Sequence, residues 1–512
     1  LTLFLHYSTI KVRIQVRKCA GYILPFHMAA AWRRILMLFN SIQFLIFFPI
    51  VVLLYFLIPH KFRYVWLLFA SYYFYMAQEP SYAVFLVLTT VITWTAGNLL
   101  YRAVNKFQKN IIVAAGFLLT LSFLLYFKYT DFFLSLFGSG RQLHLLLPLG
   151  ISFYTFQSLT YIMDCYRQET PPEKNILKYA LFVSFFPNIL SGPIERSKNL
   201  LKQFEQVHAF DVTRVKEGLT LMLWGYFLKM VLVSRLAILT DLVYDHYNIY
   251  TGMPLIIATL SYTFQIYCDF AGYSSIAVGA ARIMGFQIMQ NFRQPYFAVS
   301  VSDFWHRWHI SLSTWFRDYL YIPLGGSRCS KGRKYFNIAV VFLTSGFWHG
   351  ANITFILWGA LNGLYQIAGD MLRPFRTYLC SITSLTKHPV LHRILRTIFT
   401  FLLLSITWVF FRAPTITDAG IIMKKMFTTI DPADFINGTI FTLGLGTANL
   451  LFVVFSLLIL LAADLLCEYR RCDISRLLIR TPVLLRWGIY YLLFTMILLS
   501  CNLSTQEFLY MQ

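Results

Sequence analysis

Charged residues are scarce in this sequence. They make up 13% of its 512 residues, about half of their share in soluble domains. So few charges cannot cover a soluble globule of this length, and a disordered chain would need far more polar residues. Hydrophobic residues reach 58%, and the mean hydropathy is +0.60. Lipid must therefore be the solvent for much of the chain, which predicts a polytopic membrane protein.

Paired cysteines are also missing. The 8 cysteines form no Cys-x-x-Cys pair, which leaves disulfide frameworks and zinc knuckles unsupported. The sequence has no internal repeat and no Gly-rich phosphate loop, so a nucleotide-binding fold of the soluble type is excluded. Its polar stretches are too short to form a soluble catalytic domain. Any chemistry must therefore take place inside a bundle of membrane helices.

Acidic residues are few: 22 of them face 44 lysines and arginines, for a formal net charge of +22. Most cations lie in short loops between apolar runs, where the positive-inside rule and anionic headgroups place them. No soluble element carries a basic face, so we expect no nucleic-acid partner. The stretch 1–36 is basic and contains no acid. It is predicted to be a disordered leader or an over-extended start, before a single membrane domain over 37–512.

Apolar runs fill most of the chain after residue 36. Because about 20 apolar residues cross a bilayer as a helix, and several runs are shorter, we predict an all-α polytopic protein of about eleven membrane-spanning helices with added re-entrant or interfacial helices. The runs lie at 42–58, 64–77, 82–101, 111–126, 143–163, 176–190, 215–239, 253–270, 276–286, 336–347, 353–368, 394–411, 450–466 and 483–499.

One segment, 301–321, combines ionisable and aromatic residues in a way that suits neither lipid nor water. It contains Asp303, His306 and His309 at spacings that place them on one helical face. Ionisable groups at bilayer depth are costly and usually functional, so we expect this segment inside the bundle, lining a wet cavity. Its other ionisable residues and its first tryptophans are Trp305, Arg307, Trp308, Arg317 and Asp318.

Another histidine, His349, follows the apolar run 336–347. If both segments are helical, His349 lies about 21 Å and His309 about 18 Å along the helices that flank the basic loop 323–334. Against a hydrocarbon thickness of about 30 Å, the two histidines fall at similar depth. The sequence therefore predicts that they converge on one buried spot.

The histidines also have plainer interpretations. In an aromatic setting a histidine is usually a satisfied core residue, and His306 fits this description as well as a role in a channel. Spacing alone would allow Asp303, His306, His309 and His349 to bind a metal ion. No His-Glu-x-x-His motif or carboxylate-rich shell supports such a site, and we predict none.

Two further polar pairs leave a choice between structure and function. Arg317 and Asp318 would form a structural pair or bind the phosphates of a donor. Asp269 and Tyr273 lie in an apolar setting, where they would cross-link helices or contribute to donor binding. The structural interpretation is favoured for both pairs, because most buried polar residues in membrane proteins pair with each other.

Five motifs, taken together, are specific. The strongest are Phe-Trp-His-Arg-Trp-His, which opens the segment 304–328, and Gly-Phe-Trp-His-Gly-Ala-Asn at 346–352; the others lie at 185–194, 265–274 and 507–512. They resemble the membrane-bound O-acyltransferase family, in particular its bacterial branch of the alginate O-acetyltransferase and D-alanyl-teichoic-acid type. The resemblance covers essentially residues 37–512.

This resemblance implies a ring of helices around a central funnel, with an active-site core at about 261–370 and the family's catalytic histidine deep inside. That histidine matches His349, and the family's second active-site position matches His309. We expect His349 to act as general base and His309 to donate to or orient the reacting groups. We expect the substrate channel to be lined by Trp305, His306, Trp308, Trp348 and Asn352.

The resemblance also implies a reaction. An acyl group, in the simplest case acetyl, would pass from a cytoplasmic thioester to a hydroxyl of an extracytoplasmic polysaccharide or wall polymer, directly or through an accessory secreted transferase. Acetyl-CoA or another acyl thioester would be a substrate, and no cofactor would be bound. The protein would lie among lipids of the bacterial inner membrane. Ser275 and Asn362 stand where relatives often carry Asp and His, so neither is counted as functional.

Two other classes of function stay open on the sequence. A transporter or flippase of glycan or lipid intermediates would also use a polar-lined funnel, but transporters usually show inverted repeats, which this sequence lacks. A structural scaffold for a secretion complex would tolerate loss of both histidines. Neither explains paired histidines beside tryptophans, so the acyltransferase is favoured.

Overall fold

The described part of the chain contains helices joined by short connections. A computed structural model describes residues 37–77, 79–138 and 142–501, apart from the side chains at 435, 440 and 442. Within these ranges no β-strand occurs, in agreement with the all-α prediction. The predicted leader at 1–36 and the motif at 507–512 lie outside the described residues, and the expectations about them stay predictions.

The helices range from single turns to one of 33 residues. The first half of the chain forms α1 Ile42–Leu57, α2 His60–Met76, α3 Ala83–Arg102, α4 Lys106–Leu136, α5 Ile151–Tyr166, α6 Ile176–Ser184, α7 Phe186–Ile189, α8 Ser197–Gln203, α9 Val212–Tyr226, α10 Ser234–Asp245 and α11 Gly252–Met284. The second half forms α12 Val301–Trp305, α13 Ile310–Phe316, α14 Lys331–His349, α15 Ile353–Met371, α16 Arg373–Ile382, α17 Pro389–Arg412, α18 Ile416–Thr428, α19 Ala433–Ile436, α20 Gly446–Arg470, α21 Ile474–Ile479 and α22 Val483–Ser500.

Six helical stretches of the described chain are long and apolar enough to cross a membrane, judged by length and composition. They are Pro80–Arg102, Lys106–Leu136, Val212–Asp245, Pro389–Arg412, Gly446–Arg470 and Val483–Ser500. These stretches make the chain a multi-pass membrane protein. The predicted total of about eleven spans stays a prediction, since the remaining helices are shorter or more polar.

The longest helix, α11, is buried along most of its length and packs closely against α9. A Cβ atom added to Gly225 of α9 would lie 2.5 Å from the carbonyl oxygen of Gly272 on α11. About two turns away, a Cβ on Gly279 would lie 2.6 Å from the carbonyl oxygen of Gly218. Such small-residue contacts let helix backbones touch, which is how helices associate where lipid removes the hydrophobic driving force.

Two π-helical segments interrupt the regular helices. Phe227–Val233 joins α9 to α10, and Arg317–Tyr321 continues α13. The wider turn of a π segment rotates the side chains that follow, and such segments are frequent at functional sites. The first segment carries Lys229 towards α11, and the second places Arg317 and its neighbour Asp318 at the end of the polar segment.

Helices α14 and α15 form a tight antiparallel hairpin that ends α14 at His349. The hairpin is close because glycines face the opposing backbone: a Cβ on Gly346 would overlap the carbonyl oxygen of Phe355, and one on Gly359 would overlap that of Phe342. The position of His349 therefore depends on a helix contact that has no room for a methyl group.

Replacing Gly359 by Ala is expected to lower the apparent melting temperature of the purified protein, because α15 must move away from Phe342. Gly369 in the same helix is the matched control, since a Cβ there meets no atom within 4 Å. Ala in an open helical position stabilises by roughly 0.5–1 kcal/mol relative to Gly, so Gly369→Ala should leave the melting temperature unchanged or raise it. Equal effects of the two changes would contradict the close helix contact.

Candidate active site

His309 lies at a break in the polar segment rather than on a continuous helix. Helix α12 ends at Trp305, and His309 adopts a left-handed conformation with φ 42° and ψ 54° immediately before α13. For a residue other than glycine this left-handed conformation costs roughly 1–2 kcal/mol, and residues that adopt it cluster at functional sites. The expectation that Asp303, His306 and His309 share one helical face is therefore wrong.

The break is held by a buried asparagine. The carbonyl oxygen of Asn291 accepts from the backbone N–H of Ile310 at 2.9 Å, and its side-chain Oδ1 accepts from the hydroxyl of Ser311 at 2.7 Å. Asn291 is 1% exposed. Because an unpaired buried polar group is costly, these bonds fix the start of α13 and with it the direction of the His309 side chain.

The two histidines meet at the indole ring of Trp348. The centroid of the His309 ring lies 6.2 Å from that of Trp348, and the His349 ring lies 4.9 Å from it on the neighbouring residue. Phe270 of α11 contacts His309 at 4.5 Å, and Phe411 of α17 contacts His349 at 5.4 Å. The tertiary structure thus brings together two histidines that are forty residues apart, inside an aromatic enclosure.

Several polar atoms in this enclosure are buried without a hydrogen-bond partner among the described residues. They include both ring nitrogens of His309, which is 1% exposed. Leaving such groups unpaired costs about 1–3 kcal/mol each, so an arrangement of this kind is suited to a ligand that pairs with them. Four indole N–H donors share the property, those of Trp305, Trp348, Trp358 and Trp408.

The wall of the enclosure is built mainly from tryptophans. Trp308 packs against Trp408 at 5.1 Å, Trp408 stacks on Trp358 at 5.7 Å, and Trp358 contacts His349 at 5.0 Å. Trp305 reaches the same cluster through Trp358 at 5.7 Å. The sequence analysis missed Trp358 and Trp408 because both lie in apolar runs that were interpreted only as spans.

A lysine and a tyrosine of α4 hold the end of α14. Lys128 donates to the carbonyl oxygen of Trp348 at 2.5 Å, and Tyr129 donates to that of Phe347 at 2.6 Å. Both acceptors belong to the last turn of α14, where carbonyls lack helical partners and a cation is favourable. The sequence analysis missed Lys128, although a single cation inside a long apolar stretch is itself a signal of function.

Lys128→Met is expected to lower the turnover number of the reaction that uses His349 about tenfold with little change in KM, because it loosens the turn that carries His349. That factor corresponds to weakening one charge-assisted hydrogen bond by about 1.4 kcal/mol. Lys106→Met, at the exposed start of the same helix, is the control. A turnover number that stays at the wild-type value in Lys128→Met would show that Trp348 and His349 are positioned by other contacts.

Three other ionisable residues of the polar segment, Asp303, His306 and Arg307, have partners outside the histidine pair. His306 is exposed, and its Nδ1 lies 2.6 Å from the carbonyl oxygen of Ser302. Asp303 pairs with Arg307 at 2.8 Å, and Arg307 pairs in turn with Glu468 at 2.7 Å. Among the described residues no three His, Cys, Asp or Glu side chains gather as a metal site would require. The alternative metal site at these positions therefore has no geometric support.

Arg317 and Asp318 are engaged with each other and with a second arginine. Arg317 Nε donates to Asp318 at 2.8 Å, and Arg196 donates to the other carboxylate oxygen at 3.3 Å. Arg167 also donates to the backbone carbonyl of Asp318 at 2.9 Å. These contacts connect the π segment to the loop before α8 and to the loop after α5. Such contacts are what the structural interpretation of Arg317 and Asp318 requires.

Asp269 and Tyr273 lie on buried faces of α11. The Asp269 carboxylate pairs with Lys229 in the π segment after α9, and both side chains are almost inaccessible, at 1% and 2% exposure. The Tyr273 ring packs on Phe39 at 4.8 Å. Asn352 has a capping geometry, because its Oδ1 accepts from the backbone N–H of Thr354 at 3.1 Å. The ion pair connects α11 to the π segment, the Tyr273 contact connects α11 to the chain before α1, and the Asn352 bond caps the start of α15.

The fold and the site together define a class of protein: a multi-pass membrane protein that encloses two histidines among aromatic rings. Comparison with known proteins makes the class specific. Residues 36–412 match the model of MBOAT, the membrane-bound O-acyltransferase family. The chain belongs to this family and is an O-acyltransferase.

Three of its relatives are named for alginate, peptidoglycan and teichoic acid. The chain is 37% identical over 404 residues to a probable alginate O-acetylase of Pseudomonas syringae pv. tomato, which covers 77% of this chain and 75% of the relative. It is 34% identical over 431 residues to a peptidoglycan O-acetyltransferase of Helicobacter pylori, covering 77% and 80% of the two chains. A teichoic acid D-alanyltransferase of Bacillus subtilis is 29% identical over 231 residues, 42% of this chain and 57% of the relative.

Proposed function

We propose that this chain transfers an acetyl group from a cytoplasmic thioester, such as acetyl-CoA, to a hydroxyl of an extracytoplasmic polysaccharide or wall polymer, directly or through an accessory secreted transferase. The observation that carries the proposal is the meeting of His309 and His349 at Trp348, with both nitrogens of His309 buried and without a partner among the described residues. A ligand hydroxyl or carbonyl would supply the missing partners.

His349 is the general base of this proposal. It takes the proton of the attacking hydroxyl while that oxygen forms a bond to the carbonyl carbon of the thioester. The tetrahedral intermediate then expels the thiolate by breaking its carbon–sulfur bond, and the proton on His349 passes to the sulfur. Base catalysis of this kind contributes about 10²- to 10⁴-fold to a rate. His349 acts as both acceptor and donor of one proton, so the imidazole is regenerated.

His309 and the indole N–H groups stabilise the negative charge that develops on the carbonyl oxygen. Donors that are already oriented in a dry enclosure are more effective than water, because nothing has to reorganise during the reaction. The surrounding rings of Phe270, Trp308 and Trp358 also exclude water, which protects the thioester from hydrolysis. This division of roles uses the residues that the structure gathers and leaves out His306, which is exposed.

The orientation in the membrane rests on the cations at the start of α14. This helix has 19 residues, begins with Lys331, Arg333 and Lys334, and ends at His349. The positive-inside rule assigns its first turn to the cytoplasm. His349 is then about 27 Å further along the axis, towards the side from which a polysaccharide would approach. A bacterial inner membrane fits this orientation and the names of the relatives.

The choice of acetyl over D-alanyl rests on the relatives. The two whose names specify O-acetylation match 77% of this chain, whereas the D-alanyltransferase matches 42% at lower identity. The experiment is transfer of radiolabelled acetate from acetyl-CoA in membranes that contain the full chain. Alginate oligosaccharide and a peptidoglycan fragment would be offered as acceptors, with and without any co-encoded secreted transferase.

Label that becomes attached to a polymer and is released by mild base, as an O-ester requires, would support the proposal. Transfer from a D-alanyl thioester but not from acetyl-CoA would correct the donor. Passage of unmodified glycan through proteoliposomes, with no ester formed, would contradict the proposal and favour the transporter.

A further inference from the structure

A second cavity, separate from the histidine pair, lies where several helices end. It has a volume of about 670 Å³. It is lined by residues of α9, α11, α17, α20 and α21, of the loop after α11 and of the turn between α20 and α21, together with Leu228 and Arg307; neither His309, His349 nor Trp348 lines it. This volume is within the range of small-molecule sites, roughly 300–1,000 Å³. We call it the arginine cavity after its lining arginines, Arg282, Arg293, Arg307, Arg393, Arg471 and Arg476.

Half of these arginines are neutralised by nearby acids. Arg282 pairs with Asp473 at 3.1 Å, and both Arg307 and Arg393 pair with Glu468, at 2.7 and 2.8 Å. Burial alone would raise the pKa of Asp473, but the backbone N–H of Arg476, the Ser475 hydroxyl and the charge of Arg282 outweigh it and lower this pKa. Because Asp473 stays ionised, these pairs form a rigid, charge-compensated frame.

The other three, Arg293, Arg471 and Arg476, have no ion pair in the described part of the chain. All three are exposed, so their guanidinium groups are accessible from the cavity mouth. Guanidinium donors match the oxygens of a phosphate in pairs, which makes arginine the preferred residue for phosphate recognition. Among the described residues, the cavity therefore offers three cations that have no ion pair, beside a frame of paired charges.

Arg471 is held in a strained conformation. It ends α20 with φ 53° and ψ 41°, in the left-handed region where glycine is the usual residue. An arginine in this conformation costs roughly 1 kcal/mol or more of folding free energy relative to glycine. Residues in such strained conformations cluster at functional sites, where the function of the side chain compensates for the strain.

Besides its polar residues Ser274, Ser275, Gln290, Asn291, Gln294 and Asp464, the lining has an apolar part. Leu221, Trp224 and Leu228, on α9 and its π segment, face Ala271 and Val278 on α11. The charged mouth lies at the ends of α11, α17 and α20, the last two of which are long enough to span a membrane. That is the depth at which a bilayer carries its phosphates, and basic pockets between spanning helices bind acidic headgroups.

We propose that the arginine cavity binds the phosphate of an amphiphilic ligand, held by Arg293, Arg471 and Arg476, with its apolar part against α9 and α11. Two sources have this chemistry. One is the headgroup of an anionic phospholipid such as phosphatidylglycerol. The other is the phosphate end of the acyl thioester donor, and only this second source rests on the proposed function.

Direct binding to the purified full chain tests the proposal without any transfer reaction. The probes are radiolabelled short-chain phosphatidylglycerol, the matching phosphatidylcholine, and adenosine 3′,5′-bisphosphate, which is the phosphate end of coenzyme A without its thioester. We expect R293Q/R471Q/R476Q to weaken binding of an anionic probe at least tenfold. The control R102Q/R373Q/R480Q removes the same charge from exposed positions outside the cavity and should bind like the wild type.

Arg471→Gly separates binding from folding. It removes the guanidinium and relieves the left-handed strain, so it should weaken binding while leaving the apparent melting temperature unchanged or higher. Arg471→Lys, which keeps the charge, should bind better than Arg471→Gly.

Each pattern of binding decides the proposal. Phosphatidylglycerol binding with cavity dependence identifies a lipid site, and nucleotide binding with cavity dependence identifies a donor site. Neither result depends on whether acetyl transfer is observed. The proposal is overturned if no anionic probe binds, if phosphatidylcholine binds as well as phosphatidylglycerol and the nucleotide does not bind, or if the cavity triple variant binds like its control.

Discussion

His349→Ala is expected to reduce acetyl transfer by about 10²- to 10⁴-fold, the full contribution of a general base. The loss should appear in the turnover number, because the imidazole acts on a proton that moves only in the transition state. Trp348, Trp358 and Phe411 surround the ring on helices that hold their own positions. The variant should therefore fold, and its melting temperature should stay close to that of the wild type.

The measurement is the rate of O-ester formation from labelled acetyl-CoA in membranes with equal amounts of each variant. His246→Ala is the control, since His246 is an exposed histidine at the end of α10 and should transfer at the wild-type rate. His349→Gln keeps the size and polarity of the side chain but cannot accept and return a proton, so it should be as inactive as His349→Ala. If both His349 variants formed the ester at the wild-type rate, His349 would serve only in packing.

Lys229→Met is expected to destabilise the protein by about 3–5 kcal/mol. It removes the lysine from the buried ion pair with Asp269, and losing one partner of such a pair is costly because the remaining charge stays desolvated. Replacing both partners by apolar residues of similar volume removes that buried charge as well, and such exchanges are often neutral in soluble proteins. The double variant Lys229→Met/Asp269→Leu should therefore recover much of the loss.

The apparent melting temperature in detergent, at one fixed heating rate, reports this difference. Lys424→Met is the matched control, because Lys424 is exposed on α18 and the same change there should have little effect. If Lys229→Met and Lys424→Met had the same apparent melting temperature, the pair of Lys229 and Asp269 would contribute little to stability. If the double variant melted no higher than Lys229→Met, α9 and α11 would depend on these polar groups for more than charge balance.

Much of the fold class could be predicted from composition. A charged fraction of 13% and long apolar runs leave no solvent other than lipid, and lipid permits only structures that satisfy their own backbone hydrogen bonds. The runs at 82–101, 394–411, 450–466 and 483–499 coincide with spanning helices of the structure. Periodicity could not show where a helix changes its winding, because a π segment only shifts each backbone hydrogen bond from a residue four positions away to one five positions away, which leaves no mark in composition.

The site shows the same limit. The expectation of one helical face for Asp303, His306 and His309 failed because a continuous helix was assumed through 301–321, while the bonds from Asn291 stabilise a left-handed turn at His309. Spacing along the chain cannot reveal a bond made by a residue that lies in another loop. Lys128 was missed for a related reason: its acceptor, the carbonyl of Trp348, is 220 residues away.

The sequence by itself determined the solvent, the helical class and the family, and it predicted which two histidines to examine, because these depend on which residues are present and in what local order. The tertiary structure alone decided that both histidines contact Trp348, that tryptophans from α12, α15 and α17 enclose them, and that arginines from separate helices share one cavity. The reason is physical. Composition and local order act through neighbours along the chain, whereas burial, pairing and electrostatic fields act through space.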